Sequence, residues 1–153
     1  MKYYITYFYN IRFLDKNTIP ISTAKWDPKW FHDNKSQDYL FKDARGIYNG
    51  IRLPELSPYK IKHIECKKDC ELDPKTCSFL TAYRKYLHTL NFNDIKIKIE
   101  AMASVFKKQS GLSTLPNICL LVHEKPDNPC SERAPLIEWF KENGIDLIEF
   151  QKD

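Results

Sequence analysis

Glycine is scarce in this chain, and long apolar runs are missing from it. Only 4 of its 153 residues are glycine, so a glycine-rich loop that cradles phosphate is not expected anywhere. No apolar run approaches the roughly 18 residues of a membrane-spanning helix. The first ten residues, MKYYITYFYN, hold neither the long apolar core nor the small-residue cleavage site of a signal peptide. We therefore expect a cytoplasmic protein with no membrane partner.

Charge is unevenly distributed along the chain. The formal net charge is +4, but residues 124–153 hold eight acidic and four basic side chains and so carry −4, which leaves +8 on residues 1–123. Such an excess suggests an anionic partner, a nucleotide or a nucleic acid, for the front part of the chain. The alternative is an ordinary solvated lysine surface, because charge alone does not define a groove.

The pattern of apolar residues predicts an α/β domain. Hydrophobic residues make up 42% of the chain and aromatic residues 14%, which excludes wholesale disorder. The length suits one domain over residues 1–153, with an unusual cysteine-rich insertion at about residues 60–78. The predicted strands are 3–8, 19–22, 118–122 and 147–150, and the predicted helices are 79–90, 94–108 and 135–143.

The chain is organised around its last third, which has the pattern strand, polar loop, helix, strand. The run Ile118-Cys119-Leu120-Leu121-Val122 is short and continuously apolar, as expected of a strand that is buried on both faces. The polar loop after it should lie at the carboxyl end of that strand, where open α/β sheets bind ligands.

That loop holds the candidate catalytic residues Glu124, Cys130 and Arg133. A thiol just before a helix, next to an arginine, would have a lowered pKa and would attract anions. Arg133 can bind a phosphate or carboxylate through two nitrogens, and Glu124 can act as a general base or hold a ribose hydroxyl. In the alternative interpretation Cys130 is half-buried, Arg133 is paired with a glutamate of the loop, and the loop only closes the sheet.

Four further residues are candidate ligand-binding residues, because loop residues carry chemistry more often than core residues do. They are Arg12 after the first strand, Asp43 and Arg45 in a turn, and Ser131 in the loop of the last third. For Asp43 and Arg45 the alternative is that they pair with each other or with the backbone. Large aromatic residues near Trp26 either cap the core or stack on a base or sugar.

A cluster of thiols marks residues 60–77, KIKHIECKKDCELDPKTC. His63, Cys66, Cys70 and Cys77 follow the spacing H-x2-C-x3-C-x6-C, and thiolates with imidazole are suitable ligands for a structural zinc ion. Three thiolates are also compatible with an iron–sulfur cluster. The usual C-x2-C knuckle is absent, so reduced loop thiols are the alternative.

The run ICLLVHEKPDNPCSERAPLIEWFKENG resembles the end of the family known as domain of unknown function 488. In that family a buried strand ends in a glutamate-bearing loop, and Cys-His-Arg then opens a helix that carries tryptophan. This chain has Cys130-Ser131-Glu132-Arg133 at that place, so the histidine is missing and one residue is added. The resemblance implies a single Rossmann-like, three-layer domain with a mostly parallel central sheet, but it implies no particular reaction.

Two functions are compatible with these features. The first is an enzyme or sensor that binds a nucleotide, a nucleic acid or another phosphate-bearing ligand at the loop from Glu124 to Arg133. The second is a non-catalytic interaction module, stapled by a metal ion at His63, Cys66, Cys70 and Cys77, with a basic docking surface.

Overall fold

A five-stranded parallel sheet is the centre of the fold in the computed structural model, which describes residues 1–31, 51–59, 61, 77–128 and 131–152. The strands pair in the order β3-β2-β4-β1-β5, and every described pair is parallel. The predicted Rossmann-like three-layer α/β class is therefore confirmed. The strands are β1 (Tyr3–Tyr7), β2 (Thr18–Ser22), β3 (Ile51–Arg52), β4 (Asn117–Val122) and β5 (Leu147–Glu149).

Strand β4 lies in the middle of the sheet, between β2 and β1. Its residues from Ile118 to Val122 are all fully buried, which explains why the run has no polar interruption. Leu120 pairs with Ile5 of β1 on one side and with Ile21 of β2 on the other. The register of β1 with β5 places Ile5 opposite Glu149.

Three α-helices are described, and their apolar residues recur at helical spacing. The long helix begins after Asn91, whose side chain accepts a hydrogen bond from the backbone N of Asp94 at 3.2 Å. It ends at Gly111, which has a φ of +65°, a conformation that favours glycine. The alternation of isoleucines at its start is thus part of a helix, as its length indicated. The helices are α1 (Ser78–Thr89), α2 (Phe92–Ser110) and α3 (Arg133–Glu142).

Helix α3 packs against β1, next to the outer strand β5, through the aromatic ring of Phe140. The ring of Phe140 lies 6.0 Å from that of Tyr3 and 5.1 Å from that of Phe92, centroid to centroid. On the exposed side, Arg84 of α1 binds Glu138 of α3 through two nitrogens, at 2.9 and 3.3 Å. These contacts hold the second half of α3 against the sheet and against α1.

Of the cysteine-rich insertion, the described residues include only Ile61 and the end from Cys77 onward. Cys77 is fully buried and packs with Phe79 and Leu80. Within the described ranges, no helix is both long enough and apolar enough to cross a membrane.

Candidate functional site

A cluster of polar side chains lies where β4 ends and α3 begins, at the carboxyl edge of the sheet. We call it the carboxyl-edge cluster and define it by its five residues. Glu124 follows β4, Ser131 and Glu132 precede α3, Arg133 is the first residue of α3, and Glu149 ends β5. Parallel strands place their carboxyl ends at one edge, so residues from distant parts of the chain meet there.

Arg133 ties three parts of this edge together. Its Nη1 donates to the backbone O of Glu124 at 2.9 Å and to Oγ of Ser131 at 3.2 Å. Its Nε forms an ion pair with Oε1 of Glu149. Only 7% of Arg133 is exposed, so the guanidinium is directed into the protein and its charge is balanced by Glu149. The sequence left two partners open for Arg133, an external anion or a glutamate of the loop, and the partner in the structure is Glu149 of β5.

Glu132 and Glu124 form a carboxyl pair beside this arginine. Glu132 is 6% exposed. Burial raises its pKa well above the usual range, and the hydrogen bond and negative charge of Glu124 raise it further, although Arg133 acts in the opposite direction. The fold therefore favours the protonated form of Glu132, which can donate its proton to Glu124. Burial also raises the pKa of Glu149, and the neighbouring Arg133 offsets part of this effect.

Apart from Nε of Arg133 and Oε1 of Glu149, which form an ion pair with each other, four buried polar atoms of the cluster have no hydrogen-bond partner among the described residues. They are Oε1 of Glu124, Oε2 of Glu132, Nη2 of Arg133 and Oε2 of Glu149. A buried polar group without a partner costs about 1–3 kcal/mol, so such groups usually meet water or a ligand. Together these atoms offer carboxyl oxygens and one guanidinium nitrogen to a bound molecule.

Next to this cluster, a hydrogen bond connects the segments that follow β2 and β4. Nε2 of His123 is hydrogen-bonded to the backbone O of Trp26, and the Trp26 side chain is 72% exposed. After β2, the carboxylate of Asp27 accepts from Oγ of Ser22 and pairs with Arg52. The carboxyl edge thus combines an exposed indole ring with buried carboxyl groups.

The structure brings together some of the predicted site residues and separates others. Glu124, Ser131 and Arg133 share the carboxyl-edge cluster, whereas Arg12 lies after β1 with its guanidinium 3.9 Å from the centre of the Tyr9 ring. Cys77 is buried beside α1. In the described parts of the chain, no three His, Cys, Asp or Glu side chains are grouped as metal ligands. The predicted residues Asp43, Arg45, His63, Cys66, Cys70 and Cys130 lie outside the described residues.

Two members of the cluster were missed by the sequence analysis, namely Glu132 and Glu149. A signal for Glu149 exists: it is two residues after the buried Leu147 in a strand, and alternation puts both side chains on the same face. A carboxylate on a buried face requires a cationic partner. The burial of Glu132 has no comparable sequence signal, because it depends on how the loop returns to the sheet.

Comparison of the chain with protein-family models, with curated proteins and with solved structures finds no match. The resemblance to domain of unknown function 488 therefore rests on the residues quoted for it alone.

Proposed function

We propose that this protein is an enzyme or sensor that binds a nucleotide, or another phosphate-bearing ligand, at the loop from Glu124 to Arg133. One observation carries the proposal: buried carboxyl and guanidinium atoms without partners converge at the carboxyl edge of a parallel sheet. This edge is where open α/β sheets bind ligands. The proposal includes a cytoplasmic location and membership of domain of unknown function 488.

The charges of the cluster favour a particular orientation of the ligand. The cluster holds three carboxyl groups and one guanidinium, and Glu149 already neutralises that guanidinium. A phosphate would therefore be repelled from the cluster, whereas hydroxyl or amino groups of a sugar or base would be bound by the oxygens of Glu124 and Glu132. We place the sugar at these carboxyl groups, the base on the exposed ring of Trp26, and the phosphate toward the solvent.

The carboxyl pair also supplies chemistry for an enzyme. A protonated Glu132 next to Glu124 provides an acid and a base that share one proton, which suits transfer of a proton to or from a bound hydroxyl. Cys130 is the candidate nucleophile in this proposal, as its place in the sequence before α3 suggests. In a sensor, the same pair would bind the hydroxyl without reaction.

Thermal melting with a panel of probes tests the proposal. The probes are nucleoside mono- and triphosphates and inorganic phosphate, each added to the wild-type protein and to Glu124→Gln. A ligand at about 100 times its Kd stabilises a protein by about 2.7 kcal/mol, which corresponds to an increase in Tm of about 5–10 °C for a chain of this size. We expect one nucleotide to produce this increase in the wild type.

The variant Glu124→Gln should not show this increase in Tm, because a neutral amide is a weaker hydrogen-bond acceptor than a carboxylate. The substitution leaves the backbone O of Glu124 available to Arg133, so the unliganded protein should melt normally. Glu138→Gln, on the exposed face of α3, is the matched control and should keep the increase. If no nucleotide changes the Tm of the wild type, the proposal is wrong.

The metal-stapled module is kept as a separate proposal for the cysteine-rich insertion. We propose that His63, Cys66, Cys70 and Cys77 bind zinc or, through the three thiolates, an iron–sulfur cluster. The support is the donor set in the sequence, since three thiols within twelve residues and one imidazole are compatible with such a site.

A further inference from the structure

An exposed strip of aromatic rings follows β1. Tyr9 and Phe13 are 48% and 39% exposed. The rings of Tyr7 and Tyr9 stack at an angle of 14° with centroids 6.1 Å apart, and the ring of Phe13 lies 6.1 Å from that of Tyr9. We call Tyr7, Tyr9 and Phe13 the aromatic strip. Exposed large aromatic residues that touch one another are unusual on a surface that has no partner.

Cationic side chains cover two rings of the strip. The Cζ atom of Arg12 lies 3.9 Å from the centre of the Tyr9 ring, and Nε of Arg12 donates to the backbone O of Tyr9 at 3.1 Å. Nζ of Lys152 lies 4.5 Å from the centre of the Phe13 ring. Aromatic rings interleaved with arginine and lysine are the typical surface for single-stranded nucleic acid, since bases stack on rings or guanidinium planes while cations contact phosphates.

A cleft of about 350 Å³ adjoins the end of the strip. Phe13 and Lys152 line it together with two more rings, Tyr4 and Phe150, whose centroids are 6.2 Å apart. Its volume is within the range of small-ligand pockets. The cleft therefore has room, and aromatic walls, for a base.

Two amide side chains, Asn117 and Gln151, also line the cleft. Oδ1 of Asn117 accepts from the backbone N of Lys2 at 2.9 Å, which leaves its Nδ2 as a donor for a base edge. The acidic residue at the cleft, Asp15, accepts from Asn17 and from Thr18, each at 2.9 Å, so these hydrogen bonds partly screen its charge.

We propose that the aromatic strip and this cleft bind single-stranded nucleic acid, with successive bases stacked along the strip and one base in the cleft. The strip starts at Tyr7, the last residue of β1, and the cleft includes Asn117, the first residue of β4. The bound nucleic acid would therefore run from the carboxyl edge of the sheet to the opposite edge. The basic excess of residues 1–123 supports an anionic polymer as the occupant. No residue is shared with the carboxyl-edge cluster, so this proposal is independent of the nucleotide site.

Fluorescence anisotropy with a labelled oligo(dT) of about 12 nucleotides, a length within known site sizes, tests the proposal. We expect binding by the wild type and a loss of affinity of about tenfold or more in each of Tyr9→Ala and Phe13→Ala, because base–aromatic stacking is removed. Tyr9→Phe keeps the ring and should bind like the wild type. Tyr59→Ala removes an exposed tyrosine (53%) outside the strip and should also bind like the wild type.

Salt dependence and competition complete the test. Replacing both Arg12 and Lys152 by glutamine should reduce the slope of log K against log salt by about 0.7 for each phosphate that these side chains neutralise in the wild type. Thymidine monophosphate should compete much more weakly than the oligomer. The proposal is overturned if oligo(dT) does not bind, if Tyr9→Ala and Phe13→Ala bind as well as Tyr59→Ala, or if the monophosphate competes as strongly as the oligomer. An equal loss of affinity for oligo(dT) in Glu124→Gln would indicate that the nucleic acid binds at the carboxyl-edge cluster. That result would also overturn the proposal.

Discussion

Glu132 is an acidic residue whose ionisation depends strongly on the fold. Its folded-state pKa is raised, so the unfolded chain ionises Glu132 at a lower pH than the folded protein does. The contribution of Glu132 to the free energy of unfolding therefore becomes less favourable as the pH rises above its pKa in the unfolded chain, about 4.3. Glu132→Gln mimics the protonated acid and should be more stable than the wild type at about pH 8, with little difference at about pH 4.

Urea unfolding at both pH values measures this difference in free energy. The control is Glu138→Gln, since 51% of the Glu138 side chain is exposed and its partner is Arg84 at the surface. That substitution should not become more favourable as the pH rises. If Glu132→Gln destabilises the protein equally at both pH values, Glu132 is ionised in the fold and the shared proton does not exist.

Arg133 provides the second test at the scale of a residue. Its side chain and that of Glu149 form a largely enclosed ion pair, with 8% and 21% of the side chains exposed. Removing one partner of a buried pair costs about 3–5 kcal/mol, so Arg133→Ala should lower the free energy of unfolding by about that amount. Arg84→Ala, which breaks the exposed pair with Glu138, should cost less than about 1 kcal/mol. Equal small losses would mean that Arg133 does not hold the edge together.

The sequence predicted where three residues of the carboxyl-edge cluster lie, but it did not predict their contacts. The apolar run that ends at Val122 and the polar loop after it were sufficient to place Glu124, Ser131 and Arg133 at the carboxyl edge. The direction of Arg133 was not predictable, because it depends on Glu149, which reaches the same edge only through the pairing of β5 with β1. Long-range strand pairing decides such contacts, and a local sequence pattern does not contain it.

Among the elements, α1 and α3 are joined by a contact that depends on pH. Nε2 of His88 lies 2.8 Å from Glu142, and its Nδ1 lies 2.7 Å from the backbone O of Arg84. The hydrogen bond with the backbone O of Arg84 has the larger effect and that with Glu142 the smaller one, and both raise the pKa of His88 above its usual value. The imidazolium is favoured by the fold, so its contribution is complete below the unfolded pKa of about 6.5 and is lost as the pH rises through the folded pKa.

His88→Gln should therefore lower stability at about pH 5.5 and have almost no effect at about pH 9. The loss should be less than about 1 kcal/mol, because the pair is exposed. Chemical denaturation of both proteins across this range measures it. Lys96→Gln, which removes a different exposed pair with Glu100 on α2, should show no such change between the two pH values. A His88→Gln effect that persists at high pH would indicate packing rather than charge.

The cysteine-rich insertion makes a prediction for an element that the sequence alone defines. If His63, Cys66, Cys70 and Cys77 bind zinc, protein purified without added metal should contain one zinc ion per chain, and a chelator should lower the Tm. Metal analysis of Cys66→Ser and Cys70→Ser should find that this zinc is lost. Cys119→Ser is the control and should keep the metal, because Cys119 is buried in β4. Iron and sulfide in place of zinc would indicate a cluster, and no metal at all would contradict the proposal.

Elements with a strong local pattern were predictable, and the shortest strand was not. The apolar spacing of α1, α2 and α3 and the runs of β1, β2, β4 and β5 all predicted elements of the right type. Strand β3 has two residues, Ile51 and Arg52, and its partner among the described strands is β2. Two residues are too few to show an alternating pattern, so the local sequence does not predict this strand. Its pairing with β2 defines it.

For the whole molecule, the order of the strands predicts where substitutions are most costly. Leu120 is fully buried in β4 and pairs with β1 and β2. Leu120→Ala leaves a cavity between strands that cannot easily close, so the free energy of unfolding should fall by about 2–5 kcal/mol. Ile148→Ala is the matched control, because Ile148 is 48% exposed on the outer strand β5, and the effect there should be about 0.5 kcal/mol or less.

Urea denaturation of the two variants decides whether β4 is the centre of the sheet. The dependence of the free energy on urea should be the same for both, since each unfolds the same chain and exposes the same surface. Because the carboxyl-edge cluster lies where β4 ends, Leu120→Ala should also lower the affinity for any ligand that binds Glu124. Ile148→Ala should leave that affinity unchanged. Equal losses of stability in the two variants would contradict the strand order, and the position of the cluster at the centre of the edge would then be wrong as well.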